Sequence, residues 1–225
     1  MIRRLASMLP GSLQEEMRRM RFLLRARNGN FSPHEPEAEI LAHFVSAGDW
    51  VIDVGANVGQ YTLLLSRLVG PSGRVLAFEP ITTTAATLAS VSARYAPWQN
   101  VSVLNLAASE QTGTLSFELP VEQVGLRNYE RAHVSQNGAM HVFGIPIDAL
   151  QITNRISLAK IDAEGHEMQV LNGMRNTIER DLPVLIVEDN SSMVPDFLSW
   201  LGYQSGKIRS DSPNLIFTPP KAARS

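Results

Sequence analysis

Two short runs carry residue types that could do chemistry. The first is Asp53-Val-Gly-Ala-Asn-Val-Gly59, in which an apolar run ends at an acid and passes into a glycine-bearing turn before a helical pattern. A strand feeding a helix N-terminus this way sets backbone N–H groups beside a ligand. Gly55 and Gly59 stand four apart with Asn57 between them, which is not the G-x-G-x-x-G spacing of a dinucleotide site. Asp53 would repel a pyrophosphate there but could hold an ammonium, directly or through water. Glu79 follows 20 residues after Gly59, where an acid can accept hydrogen bonds from ribose hydroxyls. An adenosine-like sugar with a zwitterionic tail meets these demands, and S-adenosylmethionine is such a molecule.

The second run is Lys160-Ile-Asp-Ala-Glu-Gly-His-Glu167, where ionisable groups crowd the turn between a strand and a helix. A single acid here could merely cap the helix. Asp162 and His166 together instead suggest proton transfer to or from an acceptor group, with Glu188 and Asp189 at the end of a later strand as second choices. The acids could gather a divalent cation, but no metal-ligand set is assigned.

The surrounding pattern must position these runs. Strand runs at 50–54, 74–78, 101–106, 158–161 and 184–187 alternate with helical patterns at 58–69, 82–95, 167–180 and 194–201. That alternation predicts right-handed βαβ crossovers and a mostly parallel sheet. Residues 113–119 alternate as a half-exposed antiparallel strand would, and 120–144 lose all periodicity. Tyr203 and residues 215–217 suggest a terminal hairpin. Ahead of the α/β pattern lies a basic arm: Arg3, Arg4, Arg18, Arg19, Arg21, Arg25 and Arg27 outnumber Glu15 and Glu16. Leu13, Met17, Met20, Leu23 and Leu24 recur there at helical spacing, which predicts a helix packed on its own domain with arginines to water. The same helix could lie on anionic lipid or dock a second subunit, giving a homodimer through the arm.

Composition narrows the classes. The 225 residues are 44% apolar and 19% charged, as expected for a folded core. A net charge of −2 argues against nucleic-acid binding, and the lack of cysteine excludes disulfides, thiolate metal sites and a cysteine nucleophile. No stretch reads as a signal peptide or a membrane span, so a cytoplasmic location is expected.

The sequence resembles the FkbM-type S-adenosylmethionine-dependent methyltransferases. The resemblance rests on Glu35-Pro36-Glu37, Val51-Ile-Asp-Val-Gly-Ala-Asn-Val-Gly-Gln-Tyr-Thr62, Ala77-Phe-Glu-Pro80, Ala107-Ala-Ser-Glu-Gln-Thr-Gly113, the 160–167 run and Val170-Leu-Asn-Gly173. It implies a Rossmann-like class I methyltransferase fold, a seven-stranded mostly parallel sheet with a reversed last strand, over 33–225, behind an N-terminal helical arm at 1–32. It also implies S-adenosyl-L-methionine as cofactor, held by Glu35, Asp53, Gly55, Asn57, Gly59, Thr62, Glu79, Pro80, Ala107 and Asp162. The activity implied is usually O-methylation of a hydroxyl on a sugar or secondary metabolite, sometimes N-methylation of a natural product or peptide. A NAD-dependent oxidoreductase and a non-catalytic interaction protein on the same fold are the rival classes. The run 120–144 has no counterpart in the resemblance and is expected to face the small-molecule or glycan acceptor.

Overall fold

The computed structural model describes residues 9–33, 37–120, 128–188, 192–207 and 212–220. Near-continuous apolar runs build the centre of the molecule. Strands β1 (Trp50–Val54), β2 (Arg74–Phe78), β3 (Val101–Leu104), β8 (Ile156–Ile161) and β9 (Val184–Glu188) pair in parallel. Burial on both faces explains why β1 and β8 read as largely apolar runs, interrupted by Asp53 in β1 and by Ser157 and Lys160 in β8. The terminal hairpin is present: β10 (Gln204–Lys207) and β11 (Asn214–Thr218) complete the order β10-β11-β9-β8-β1-β2-β3. β11 runs antiparallel to both neighbours, so the last strand is the reversed one.

Side chains alternate between two cores. On one face Ile52, Val54, Phe78, Ile161 and Val187 pack with Val170, Leu171, Ile178 and Leu198, from α5 (Glu167–Gly173), α6 (Arg175–Asp181) and α7 (Met193–Trp200). On the other, Val51, Val75, Leu158 and Ile186 pack with Leu65 and Val69 of α3 (Gln60–Val69) and with Leu41 and Val45. Helix α4 (Thr82–Tyr95) spans the expected residues. The sequence pattern did not signal α2 (Glu37–Ile40) or the 3₁₀ turn Leu41–His43.

Three expectations need correction. The helix at 167–180 is two helices meeting at Met174, because the Asp148 carboxylate reaches in from a distant turn. It accepts the N–H groups of Asn176 (2.8 Å) and Thr177 (2.9 Å), and so caps α6. The aperiodic run 120–144 hides strands β6 (His133–Val134) and β7 (Met140–Ile145). With β4 (Ala107–Ala108) and β5 (Gly113–Glu118) they form a second sheet in the order β4-β7-β5-β6. In β7 one face is exposed and carries Phe143, while the covered face includes Gly144, so burial alternates but residue type does not and the strand is hidden in sequence.

The arm forms α1 (Gly11–Arg27) and does pack on its own domain, but not by the face expected. Phe22 and Leu23 are buried against Phe31, Val58, Leu63 and Val91. Leu13, Met17, Met20 and Leu24 instead face outward.

Candidate active site

The strand order reverses direction between β1 and β8, and a crevice at their carboxyl ends follows from that switch. Asp53, Gly55, Asn57, Glu79, Pro80, Ala107, Asp162 and His166 all line this cleft, which opens to solvent. Lys160, Tyr61, Phe117 and Tyr129 line it too.

Backbone geometry brings the two sequence runs together. Gly55 adopts φ +71°, and a Cβ there would stand 1.8 Å from the Asp162 carbonyl oxygen. A glycine is needed because the turn after β8 presses directly on the turn after β1. Asp53 is fully buried, and its Oδ2 accepts the Thr62 hydroxyl at 2.6 Å. Among the described residues its Oδ1 and the Asn57 Oδ1 have no hydrogen-bond partner, so two buried acceptors flank the cleft. Burial pushes the Asp53 carboxyl up, against the Lys160 charge and the Thr62 hydroxyl.

Glu79 is also buried. One oxygen accepts the Asn57 N–H and the other the Ile81 N–H, each at 2.9 Å. Desolvation raises its pKa to about 7 despite those bonds. Asn105 fixes the turn from below by donating to the carbonyls of Glu79 and Pro80, both at 2.9 Å.

The ends of β8 and β9 hold a charge cluster. The Lys160 ammonium donates to Asp162 Oδ2 at 2.9 Å and lies 4.7 Å from the centre of the Tyr61 ring. Burial disfavours charge on Lys160, but Asp162 and Asp53 outweigh it and keep the ammonium protonated. Burial likewise opposes ionisation of Asp162, and the Lys160 charge with a hydrogen bond from Glu188 overcomes it, so Asp162 stays below the usual carboxylate range. Glu188 keeps its proton instead. Burial first, and then the bond shared with Asp162, push it up to about 8.

The turn after β8 is built by Glu167, whose Oε1 accepts the N–H groups of Ala163 (3.1 Å) and Gly165 (3.0 Å). Glu167 therefore shapes the turn, and His166 reaches the cleft. The His166 Nε2 lies 3.0 Å from the Ser109 hydroxyl, and burial lowers its pKa. Ser109 can approach because a Cβ at Gly173 would lie 1.9 Å from its carbonyl oxygen.

Most of the expected site residues thus converge. Thr62 acts one step back, through Asp53, and Gly59 packs its backbone against Leu88 rather than lining the cleft. Glu35 and Asp189 lie outside the described residues. Glu37, two residues after Glu35 in sequence, is wholly buried, accepting hydrogen bonds from Tyr61 (3.0 Å), Ser212 (3.1 Å) and Asn214. It holds the Tyr61 ring under Lys160.

Sequence reasoning missed Lys160, Ser109 and Asn105. Lys160 had a usable signal, since a chain with only three lysines places one inside a buried strand two residues before Asp162. Ser109 lies inside the Ala107–Gly113 run that carries the resemblance, whereas Asn105 had no signal. Among the described residues no three His, Asp or Glu side chains are placed to hold a metal ion, and no helix is long and apolar enough to cross a membrane.

Comparison with known proteins gives consistent results. The profile of the Methyltransferase FkbM domain matches residues 53–208. The hexuronic acid methyltransferase AglP of Haloferax volcanii is 32% identical over 151 residues, covering 65% of this chain and 58% of that protein. The crystal structure of methyltransferase FkbM from Methylobacillus flagellatus superposes with a TM-score of 0.56 at 24% identity, over 75% of this chain and 43% of that one. A Streptococcus mutans methyltransferase in complex with SAH shares the fold, with a TM-score of 0.50 at 12% identity over 80% of this chain and 93% of that one. The chain therefore spans little more than half the length of the curated relatives it matches.

Proposed function

The chain belongs to the FkbM methyltransferase family, and from that premise we propose that it transfers the methyl group of S-adenosylmethionine to a hydroxyl of a sugar. One observation carries the cofactor: the cleft pairs a buried Asp53, with a free carboxylate oxygen, and a buried Glu79. Acids at those two places suit an ammonium and a ribose, and oppose a pyrophosphate. This supports the sulfonium cofactor over NAD. The SAH bound by the Streptococcus mutans protein agrees with the same reading.

When bound, the cofactor supplies an electrophilic methyl carbon for in-line displacement, a reaction governed mainly by orientation. The chain's own groups do the rest. Glu79 would accept the ribose hydroxyls, and Asp53 Oδ1 the ammonium. Ionised Asp162 places negative charge at the cleft, with Lys160 and Glu188 fixing it in that state. His166, kept neutral by burial, takes the acceptor's proton; with Nε2–H given to Ser109, Nδ1 retains the lone pair.

An acidic sugar is the acceptor class best supported. The Haloferax volcanii relative is a hexuronic acid methyltransferase. Arg131, at the end of the 3₁₀ turn 129–131, and His133 of β6 also place positive charge near Glu164 at the cleft, although burial and the neighbouring Asp162 and Glu167 push that carboxyl up overall. The test is transfer of labelled methyl from S-adenosylmethionine to hexuronic acid glycosides and to neutral glycosides, with product identification. Label on a hydroxyl of the acidic sugar supports the reading. Label on nitrogen, or tight NAD binding with no heat from S-adenosylhomocysteine, overturns it.

A further inference from the structure

Helix α1 has two apolar faces, and the fold uses one. Phe22 and Leu23 are 2% and 3% exposed, whereas Leu13, Met17, Met20 and Leu24 expose 45%, 50%, 48% and 48% of their surface. At 3.6 residues per turn those four side chains fall within about 60° of one another and form a stripe about 17 Å long. Isolated exposed leucines are ordinary, but a contiguous stripe on a helix edge marks a contact surface.

The rim of the stripe says what it contacts. Arg21, Arg25 and Arg27 border it, and none of them forms a salt bridge among the described residues. Both acids of the helix are already engaged. Glu16 holds Arg19 through two bonds of 2.9 and 2.6 Å, and Glu15 accepts the Tyr129 hydroxyl at 3.1 Å. A second copy of this helix would therefore bring arginines and no free carboxylate to meet them. A surface offering both an apolar interior and fixed negative charge is complementary to the whole face.

We propose that the outward face of α1, the Leu13, Met17, Met20 and Leu24 stripe with its arginine rim, docks on an anionic lipid surface. The helix lies in the interface plane, with Met and Leu below the headgroups and Arg21, Arg25 and Arg27 among them. Tyr129, which lines the cleft, donates to Glu15 on the side of α1 away from the stripe, so docking through the stripe leaves that contact with the domain in place.

The experiment is co-sedimentation of the full chain with phosphatidylglycerol-containing vesicles and with phosphatidylcholine vesicles, alongside light scattering without lipid. Binding to the anionic vesicles that weakens with salt, with little on the neutral ones, is the expected result. Met17→Gln/Met20→Gln should cut binding about tenfold, with an unchanged melting temperature because both side chains are exposed. Arg21→Gln/Arg25→Gln should remove the preference for anionic lipid. A monomer that ignores both vesicle types overturns the proposal. So does a dimer in solution that the Met17→Gln/Met20→Gln variant dissociates, since the stripe is then covered by a second copy.

Discussion

At the scale of single residues the site is a set of ionisable groups held in unequal states. Glu79→Ala removes the partner of two backbone N–H groups and the proposed acceptor of the ribose hydroxyls, and should weaken S-adenosylhomocysteine binding by about 1.5–3 kcal/mol by calorimetry. His166→Ala should cut turnover by about 10²–10⁴-fold at unchanged cofactor affinity. In Ser109→Ala a smaller loss should come with an altered pH profile, since the ring loses its fixed orientation. Glu188 gives a prediction with a definite sign. Its folded pKa of about 8 exceeds the ordinary 4.5, so the unfolded chain ionises first as pH rises. Stability from this group is full below about 4.5 and is lost progressively up to about 8. Glu188→Gln can still donate to Asp162 without titrating. Its melting temperature relative to the parent should climb across that window, and a flat difference would place the proton elsewhere.

Elements meet so closely around the cleft that their contacts decide which substitutions are tolerated. Gly55→Ala would drive a methyl into the Asp162 carbonyl at a positive φ, so a loss above about 4 kcal/mol or failure to fold is expected in urea melts. Gly165 also has positive φ, +91°, but nothing lies within 4 Å of its would-be Cβ. Gly165→Ala should therefore cost only the backbone strain, about 1–2 kcal/mol. The inserted sheet bears on how the acceptor side can be tested. Replacing the whole run 120–144 would remove most of β7, which pairs with the cleft-lining Ala107 and Ala108. Such a variant would lose cofactor binding along with acceptor binding, so Tyr129→Ala is the cleaner probe.

For the whole molecule, ligand binding and folding are linked. A ligand at 100 times its Kd adds about 2.7 kcal/mol. For a chain of this size that corresponds to a rise of about 5–10 °C in Tm. S-adenosylmethionine and S-adenosylhomocysteine should both give this rise, and NAD at the same concentration none. A shift with NAD alone would contradict the acidic cleft.

Taken by itself, the sequence determined what depends on local pattern. Alternating apolar runs and glycine punctuation set the order of strands and helices, and the types at Asp53, Glu79, Asp162 and His166 marked which turns carry chemistry. Those features survive in one dimension because strand burial and helix periodicity are written into neighbouring residues. What joined them was decided only by tertiary structure. Asp148 splits a helix that local periodicity reads as continuous, and Gly173 admits Ser109 to His166 from far along the chain. The stripe from Leu13 to Leu24 shows the same limit. Its spacing marks an apolar face, but Phe22 and Leu23 lie on a second face of the same helix. Which face turns inward depends on the shape of the surface formed by Phe31, Val58, Leu63 and Val91, and that surface exists only once the sheet and its helices have packed.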